Sequence, residues 1–155
     1  MIQDSILIKK RHKRFIKNVC ESELVYGLEN QKGFATSSSI HYEDEEGEPV
    51  VIICFWAEKS LAKSCIKKGW ADYDISEVSL SDFIENWCVG MDYDGLLIGT
   101  EFDQNMFGYE TEPLDLILDL CTELKSVGKD LDFQKFEGIS DLENQVKAIL
   151  EKASS

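Results

Sequence analysis

Apolar and polar positions alternate with helical spacing in some stretches of the chain and with extended spacing in others. Between residues 8 and 20, apolar side chains recur at helical spacing among lysines and arginines, which predicts an amphipathic N-terminal helix. Two short strands, Leu24 to Leu28 and Phe34 to Thr36, are predicted next, with a turn at residues 30–33 between them. The polar and acidic residues Ser37 to Glu48 then predict a loop.

The middle of the chain carries its strongest strand signal. Val50 to Trp56 is β-branched and aromatic without interruption, which is typical of a central strand covered on both faces. Lys59 to Lys68 predicts a helix, and Asp74 to Leu80 predicts another strand. Ser79 or Ser81 is expected to cap the short helix that follows, because a serine side chain accepts from the free N–H groups of a first helical turn.

The C-terminal half is predicted to hold one more strand and two helices. Leu96 to Ile98 is a short apolar run between glycines, and Pro113 is expected to open a helix in the first-turn position that proline prefers. Ser140 to Glu143 has the spacing of a capping box, which predicts a last helix. The pattern is weaker between Ser126 and Ile139, where we expect a linker.

This order of elements predicts an α+β protein with a single domain, in which helices pack on a mixed, mostly antiparallel sheet. A length of 155 residues is typical of one domain. We expect residues 1–125 to form the α+β domain. Residues 126–155 are expected to form the linker and an appended C-terminal helix, packed on or beside that domain.

The chain is strongly acidic, with 30 acidic and 16 basic residues and a formal net charge of -14. A field of that sign repels phosphates, so neither nucleic acid nor an anionic membrane is an expected partner. A basic protein partner is compatible with it, and the charge also keeps a protein in solution. Basic residues concentrate before residue 20 and acidic ones at residues 43–48, so docking of the two within the monomer or in a homodimer is a further expectation.

The five cysteines are odd in number, and no two have Cys-x-x-Cys spacing. Each lies among apolar neighbours, which is typical of buried free thiols. No signal peptide and no apolar run long enough to span a bilayer is evident. These features predict a reducing compartment and therefore a cytoplasmic protein.

One segment partly matches a calcium-binding loop. Asp92, Asp94, Gly95 and Glu101 occupy the third, fifth, sixth and twelfth positions of an EF-hand loop. The first position should be an aspartate and is Gly90, and the residues after Gly95 predict a strand where a helix is required. An acidic turn leading into a strand is therefore preferred, and no metal is predicted.

Motifs for nucleophilic catalysis, phosphate cradles and zinc sites are absent from the sequence. His12 lies in a lysine- and arginine-rich stretch and His41 in an acidic one, so both are expected at the surface. No cofactor is predicted. The acidic residues in the middle of the chain still leave a pair of catalytic carboxylates open.

Aromatic and acidic side chains supply the candidate binding residues. Tryptophans at strand ends and helix faces usually belong to the core, whereas an exposed one more often marks a protein interface than a cofactor site. The candidates are Trp56, Trp70, Asp72, Asp94, Asp103 and Glu110.

Six collinear segments give the chain a resemblance to a known family. They are Arg11-His12-Lys13-Arg14-Phe15-Ile16, Phe55-Trp56, Ala62-Lys63, Trp70-Ala71-Asp72-Tyr73, Asp94-Gly95-Leu96-Leu97-Ile98-Gly99-Thr100 and Glu112-Pro113-Leu114. Over residues 9 to 120 the chain resembles the small bacterial proteins classed as domain of unknown function 2750. The resemblance implies a small bacterial cytosolic protein with a compact α+β fold, and it implies no activity, substrate or catalytic residue.

Two functions from different classes remain open. The first is a non-catalytic protein-binding or regulatory module, in its sharpest form an immunity- or inhibitor-like protein whose acidic face neutralises a basic partner. The second is a small carboxylate-based enzyme, or a divalent-cation or ligand-binding protein, that uses the acids between Asp92 and Glu112. The absence of catalytic motifs favours the first.

Overall fold

One seven-stranded mixed sheet organises the protein, whose computed structural model describes residues 2–154. The strands are β1 (Leu24–Asn30), β2 (Gly33–Phe34), β3 (Thr36–Glu43), β4 (Pro49–Trp56), β5 (Asp74–Ser79), β6 (Leu97–Thr100) and β7 (Tyr109–Thr111). The main path runs β2-β1-β4-β6-β7, while β5 pairs with β1 and β3 pairs with β4. Only β4 and β6 are parallel among these described pairs. The predicted α+β fold with a mostly antiparallel sheet is confirmed.

Helices pack on both faces of this sheet. They are α1 (Ile2–Ser22), α2 (Lys59–Ser64), α3 (Leu80–Asp82), α4 (Val89–Asp94), α5 (Pro113–Ser126) and α6 (Ile139–Ser154). A 3-10 turn spans Lys68–Trp70, and a π-helix, Phe83–Cys88, joins α3 to α4. The Ser79 side chain accepts from the N–H of Asp82, and Pro113 lies in the first turn of α5, as the sequence predicts.

From Ile52 to Trp56, strand β4 is covered on both faces and lies between neighbouring strands, which confirms its prediction as the central strand. Phe55 belongs to the larger hydrophobic cluster, which α1, α5, α6 and the π-helix complete. Ile52, Cys54 and Trp56 belong to a smaller cluster on the opposite face, which includes residues of α2. The sheet therefore separates two cores, because successive side chains of a strand point to opposite faces.

The chain between α5 and α6 is tied to the end of α1. Lys129 Nζ donates to the carbonyl oxygens of Cys20 and Glu21, at 3.0 and 2.9 Å. These carbonyls belong to the last turn of a helix, where they lack intrahelical partners and where a positive charge is favourable. Leu131 is buried in the larger cluster, so this segment also contributes to the core.

The start of α6 differs from the predicted capping box. The helix begins at Ile139, whose N–H donates to Asp130 Oδ1 at 2.9 Å, so Ser140 is not the N-cap. Glu143 does not return to the helix start but accepts from Lys125 Nζ of α5 at 2.6 Å. A charged partner on a neighbouring helix has displaced the local contact.

Two further boundaries predicted from the sequence are wrong. Ser37 to Glu48 is not a loop, because residues up to Glu43 form β3 and only the tip at Asp44 to Glu48 is a turn. Strand β3 is polar and largely exposed. Its extended conformation is therefore stabilised by hydrogen bonding to β4 and not by burial of its own side chains. Helix α2 ends at Ser64 instead of Lys68.

The acidic segment before Gly95 is helical, not a turn. Residues up to Asp94 belong to α4, and Gly95 ends that helix at φ +72, a conformation that glycine adopts at low cost. The N–H groups of Gly95 and Leu96 donate to the carbonyls of Asp92 and Met91, which is the hydrogen-bond pattern of a Schellman motif. The strand predicted directly after it is confirmed as β6.

No helix within residues 2–154 is long and apolar enough to cross a membrane.

Candidate functional site

The two candidate tryptophans lie in the smaller core. Trp56 is fully buried and donates from Nε1 to the carbonyl oxygen of Phe102 at 2.8 Å. The ring of Trp70, which is 9% exposed, meets that of Trp56 edge to face, with their centroids 6.1 Å apart. Both side chains thus hold the sheet, α2 and the chain after β6 together.

Asp103 is the candidate acid that lies closest to a basic side chain. Its Oδ2 accepts from Arg11 of α1 at 3.1 Å, while its Oδ1 accepts from the N–H groups of Asn105 and Phe107. It borders one cavity of about 450 Å³ together with Trp70. The fold therefore brings Asp103 close to Trp70, which is itself in contact with Trp56.

The remaining candidate acids lie at separate places. Asp72 accepts from Asn30 Nδ2 at 3.2 Å, and Asp94 is exposed at the end of α4. Glu110 of β7 accepts from the hydroxyl of Ser39 and the N–H of Ile40, where β3 leaves its register with β4. Within residues 2–154, no three histidine, cysteine, aspartate or glutamate side chains are grouped so that they could hold a metal ion.

The hairpin formed by β3, β4 and the turn between them carries a dense group of acidic residues, and we call it the acidic hairpin. Its tip carries five exposed acids, Glu43, Asp44, Glu45, Glu46 and Glu48. Asp44 Oδ1 shapes the turn by accepting from the N–H groups of Glu46 and Glu48, at 2.9 and 3.0 Å. None of the basic side chains that the structure describes forms an ion pair with these carboxylates.

Apolar side chains are exposed on the same hairpin. Ile40, Tyr42 and Val51 are 79%, 49% and 43% exposed. Ile40 and Tyr42 line a groove of about 480 Å³, whose far wall includes Phe107 and Lys9. The hairpin thus offers apolar contact area directly beside unpaired negative charge.

His12 is buried, so the prediction that it lies at the surface is wrong. Only 7% of the residue is exposed, its ring stacks on Tyr109 with centroids 4.0 Å apart, and Nδ1 lies 2.8 Å from Thr100 Oγ1. Burial lowers the pKa of His12 from 6.5 to about 4. The imidazole is therefore neutral near pH 7, and its Nε2, 3.8 Å from Asp119 Oδ2, faces that carboxylate without forming an ion pair.

Glu101 is a second buried titratable group at the same edge of the sheet. It follows β6 at the carboxyl end of the parallel pair, with an unusual φ of +55. Its N–H donates to the carbonyl of Phe55, and its Oε1 accepts from the N–H of Ala57 at 2.7 Å. Burial raises the pKa of Glu101 to about 7, although the hydrogen bond from Ala57 acts in the opposite direction. The carboxyl ends of parallel strands are where α/β sheets usually place their ligands.

A cavity of about 470 Å³ lies beside His12, between α1 and α5. Its lining residues are Lys9, His12, Lys13, Ile16, Tyr109, Asp119, Thr122 and Glu123. The sequence did not predict this site, because the lysines and arginines around His12 in α1 are typical of a helix surface that is exposed to solvent. The helical spacing did contain the signal, since His12 lies three residues before Phe15 and four before Ile16 on the apolar side of α1.

Comparison with known proteins places the chain in a family. The family model described as a protein of unknown function, DUF2750, matches residues 12–120. The chain belongs to the DUF2750 family. The matched segment begins at His12 and includes every strand of the sheet, whereas α6 lies outside it. No curated protein and no solved structure matches the chain.

The cysteines of this DUF2750 protein and the threonine beside His12 are buried. All five cysteines are free and buried. Burial raises the pKa of Cys20 and of Cys121 to about 12 and raises the pKa of Cys88 well above its ordinary value of 9.0, so these thiols stay protonated near neutral pH. Thr100, the hydroxyl beside His12, is fully buried in β6.

Proposed function

We propose that this DUF2750 protein is a non-catalytic binding module that recognises a basic protein partner through the acidic hairpin. An inhibitor- or immunity-like role, in which the hairpin covers the basic surface of its target, is the sharpest form of the proposal. The observation that carries it is the combination of five exposed acids without a described basic partner and three exposed apolar side chains on one hairpin.

Electrostatics favours a basic occupant over a neutral or acidic one. Carboxylates that crowd one turn repel one another, and lysines or arginines of a partner relieve that repulsion. Charge complementarity of this kind accelerates association and selects among partners. It also makes the affinity dependent on ionic strength, because exposed charges are screened by salt.

The apolar side chains provide the contact area that charges alone lack. Ile40 and Tyr42 border the groove, and burying side chains of this size contributes more to affinity than exposed ion pairs do. A basic segment with apolar side chains fits this surface: its cations lie along the tip and its apolar residues enter the groove. The buried free thiols support a reducing, cytoplasmic setting for such an interaction.

Peptide display tests the proposal even though the partner is unidentified. A library of random peptides is selected on the wild-type protein and counter-selected on a variant in which four glutamates of the tip are neutral. That variant is E43Q/E45Q/E46Q/E48Q, which keeps Asp44 and its turn hydrogen bonds. We expect the recovered peptides to combine net positive charge with apolar residues, and their dissociation constants, measured by fluorescence anisotropy, to rise steeply with salt.

A matched control separates the hairpin from the overall charge of the protein. The variant D74N/E77Q/D132N/E137Q removes the same number of charges at exposed positions outside the hairpin. Recovered peptides should bind it nearly as well as wild type and bind the hairpin variant at least about tenfold more weakly. Selection of peptides without basic residues, or equal binding to both variants, contradicts the proposal.

A further inference from the structure

The cavity beside His12 is formed by two helix faces of opposite charge. Lys9, His12, Lys13 and Ile16 have the spacing of one face of α1, and Asp119, Thr122 and Glu123 have the spacing of one face of α5. One wall therefore carries two ammonium groups and the other two carboxylates. This cavity is separate from the acidic hairpin, although Lys9 borders both it and the groove.

The two charged walls do not neutralise each other directly. Among the side chains that the structure describes, no ion pair joins Lys9 or Lys13 to Asp119 or Glu123. The space between the walls remains open, at about 470 Å³, a volume within the usual range of small-molecule sites. Opposite charges held apart across such a space are complementary to a ligand that carries both signs.

His12 supplies an independent indication of a ligand. Its Nε2 is the one buried side-chain nitrogen or oxygen, among those the structure describes, that has no hydrogen-bond partner. The ring cannot turn to find one, because Thr100 binds its Nδ1 and Tyr109 stacks on its face. When Nδ1–H donates to Thr100 Oγ1, Nε2 is left as an acceptor that faces the Asp119 wall of the cavity. Buried polar atoms are rarely left without a partner in folded proteins.

We propose that this cavity binds a free α-amino acid in its zwitterionic form. The ligand carboxylate lies against Lys9 and Lys13, and its ammonium group lies against Asp119 and Glu123 and donates to His12 Nε2. The ligand side chain packs against the apolar part of the lining, to which Ile16 belongs. Neither a simple anion nor a simple amine satisfies both walls.

Thermal melting with defined probes tests this site. Each of the twenty common amino acids is added to the full chain, and the same compounds with one charge removed, the N-acetyl amino acid and the amino acid amide, serve as ligand controls. We expect at least one amino acid to raise Tm, by roughly 5–10 °C at about a hundred times its dissociation constant, and neither of its singly charged derivatives to do so. In protein labelled with ¹⁵N-histidine, the same amino acid should shift the ring-nitrogen signals of His12 and leave those of His41 unchanged.

Exposed residues of the two walls provide variants that retain the fold. Lys13→Gln and Asp119→Asn each remove one charge from the cavity, and each should weaken binding about tenfold or more, because each removes a charge-assisted hydrogen bond. The control K17Q/E21Q also removes one positive and one negative charge, but at positions further along α1 that lie outside this cavity, and it should bind like wild type. The proposal is overturned if no amino acid shifts Tm and the His12 signals, if the singly charged derivatives act equally, or if Lys13→Gln and Asp119→Asn bind normally.

Discussion

The buried edge of the sheet and the exposed acidic hairpin hold the same kinds of polar groups in opposite environments. At the edge, His12 and Glu101 are 7% and 6% exposed, and each forms a hydrogen bond with a distant part of the chain. At the hairpin tip five acids face water, and their hydrogen bonds are local to the turn. The comparison teaches that burial, and not the number of charges, decides where a polar group affects stability.

Lowering the pH should destabilise the protein through His12 by the largest amount. Because burial lowers the pKa of His12 from 6.5 to about 4, the unfolded state binds a proton between these pH values and the native state does not. Stability is therefore lost as the pH falls from 6.5 towards 4, by about 3 kcal/mol for a shift of this size. Between pH 7 and pH 4 the free energy of unfolding should fall less for His12→Gln than for wild type, and the difference should be about 3 kcal/mol. Urea titrations followed by circular dichroism measure it.

His41→Gln, at the exposed histidine, is the control and should follow the wild-type pH profile. If the free energies of unfolding of wild type and His12→Gln depend on pH in the same way, water reaches the imidazole in solution and the prediction is wrong.

Glu101→Gln should change the dependence of stability on pH in the opposite sense to His12→Gln, and by a similar or smaller amount. With its pKa raised to about 7, the native carboxyl retains a proton that the unfolded chain releases above pH 4.5. Stability from this group is present below pH 4.5 and is lost as the pH rises towards 7, by up to about 3 kcal/mol. Glutamine keeps an acceptor for the N–H of Ala57 and carries no charge, so the variant should become more stable than wild type as the pH rises from 5 to 8.

A variant with exposed Glu77 changed to glutamine serves as the control for removing one glutamate. If Glu101→Gln and Glu77→Gln give the same profile, the buried-edge interpretation of Glu101 is wrong.

Neutralising the hairpin tip should have the smallest effect on stability. The E43Q/E45Q/E46Q/E48Q variant removes exposed charges that form no described ion pair, so its free energy of unfolding should stay within about 0.5 kcal/mol of wild type. Asp44→Ala removes one charge but also the acceptor for two N–H groups of the turn, and should cost about 1 kcal/mol. A larger loss for the glutamine variant than for Asp44→Ala, in urea denaturation at pH 7, would mean that the tip charges belong to the fold.

Periodic apolar signals made the framework of the protein predictable. The N-terminal helix, the central strand β4 and the start of α5 follow from side-chain spacing and one proline, which are local properties of the sequence. Strand β3 was not predicted, because its residues are polar and the pattern of its own side chains does not reveal that it pairs with β4. The predicted capping box failed for a similar reason, since Glu143 binds Lys125 on another helix.

The candidate site was less accessible to prediction than the fold. His12 is buried by Thr100 and Tyr109, which are distant in sequence and reach it only when β6 and β7 join the sheet. The charged residues next to His12 in the sequence suggested that His12 is exposed to solvent. On a helix, however, adjacent residues point in different directions, and these neighbours point away from the buried face. The binding roles of all six candidate residues remain predictions, since their positions in the fold do not test them: Trp56, Trp70, Asp72, Asp94, Asp103 and Glu110.

The tie between Lys129 and the end of α1 has a consequence for how the protein is made. Helix α1 is synthesised before α5 and Lys129, which cover its apolar face and its last carbonyls, and Lys129 follows Cys20 by 109 residues. Until then Phe15 and Val19 have no finished core to enter. The nascent chain therefore exposes the apolar face of α1 until α5 has been synthesised, and transiently exposed apolar surface of this kind favours aggregation before folding is complete.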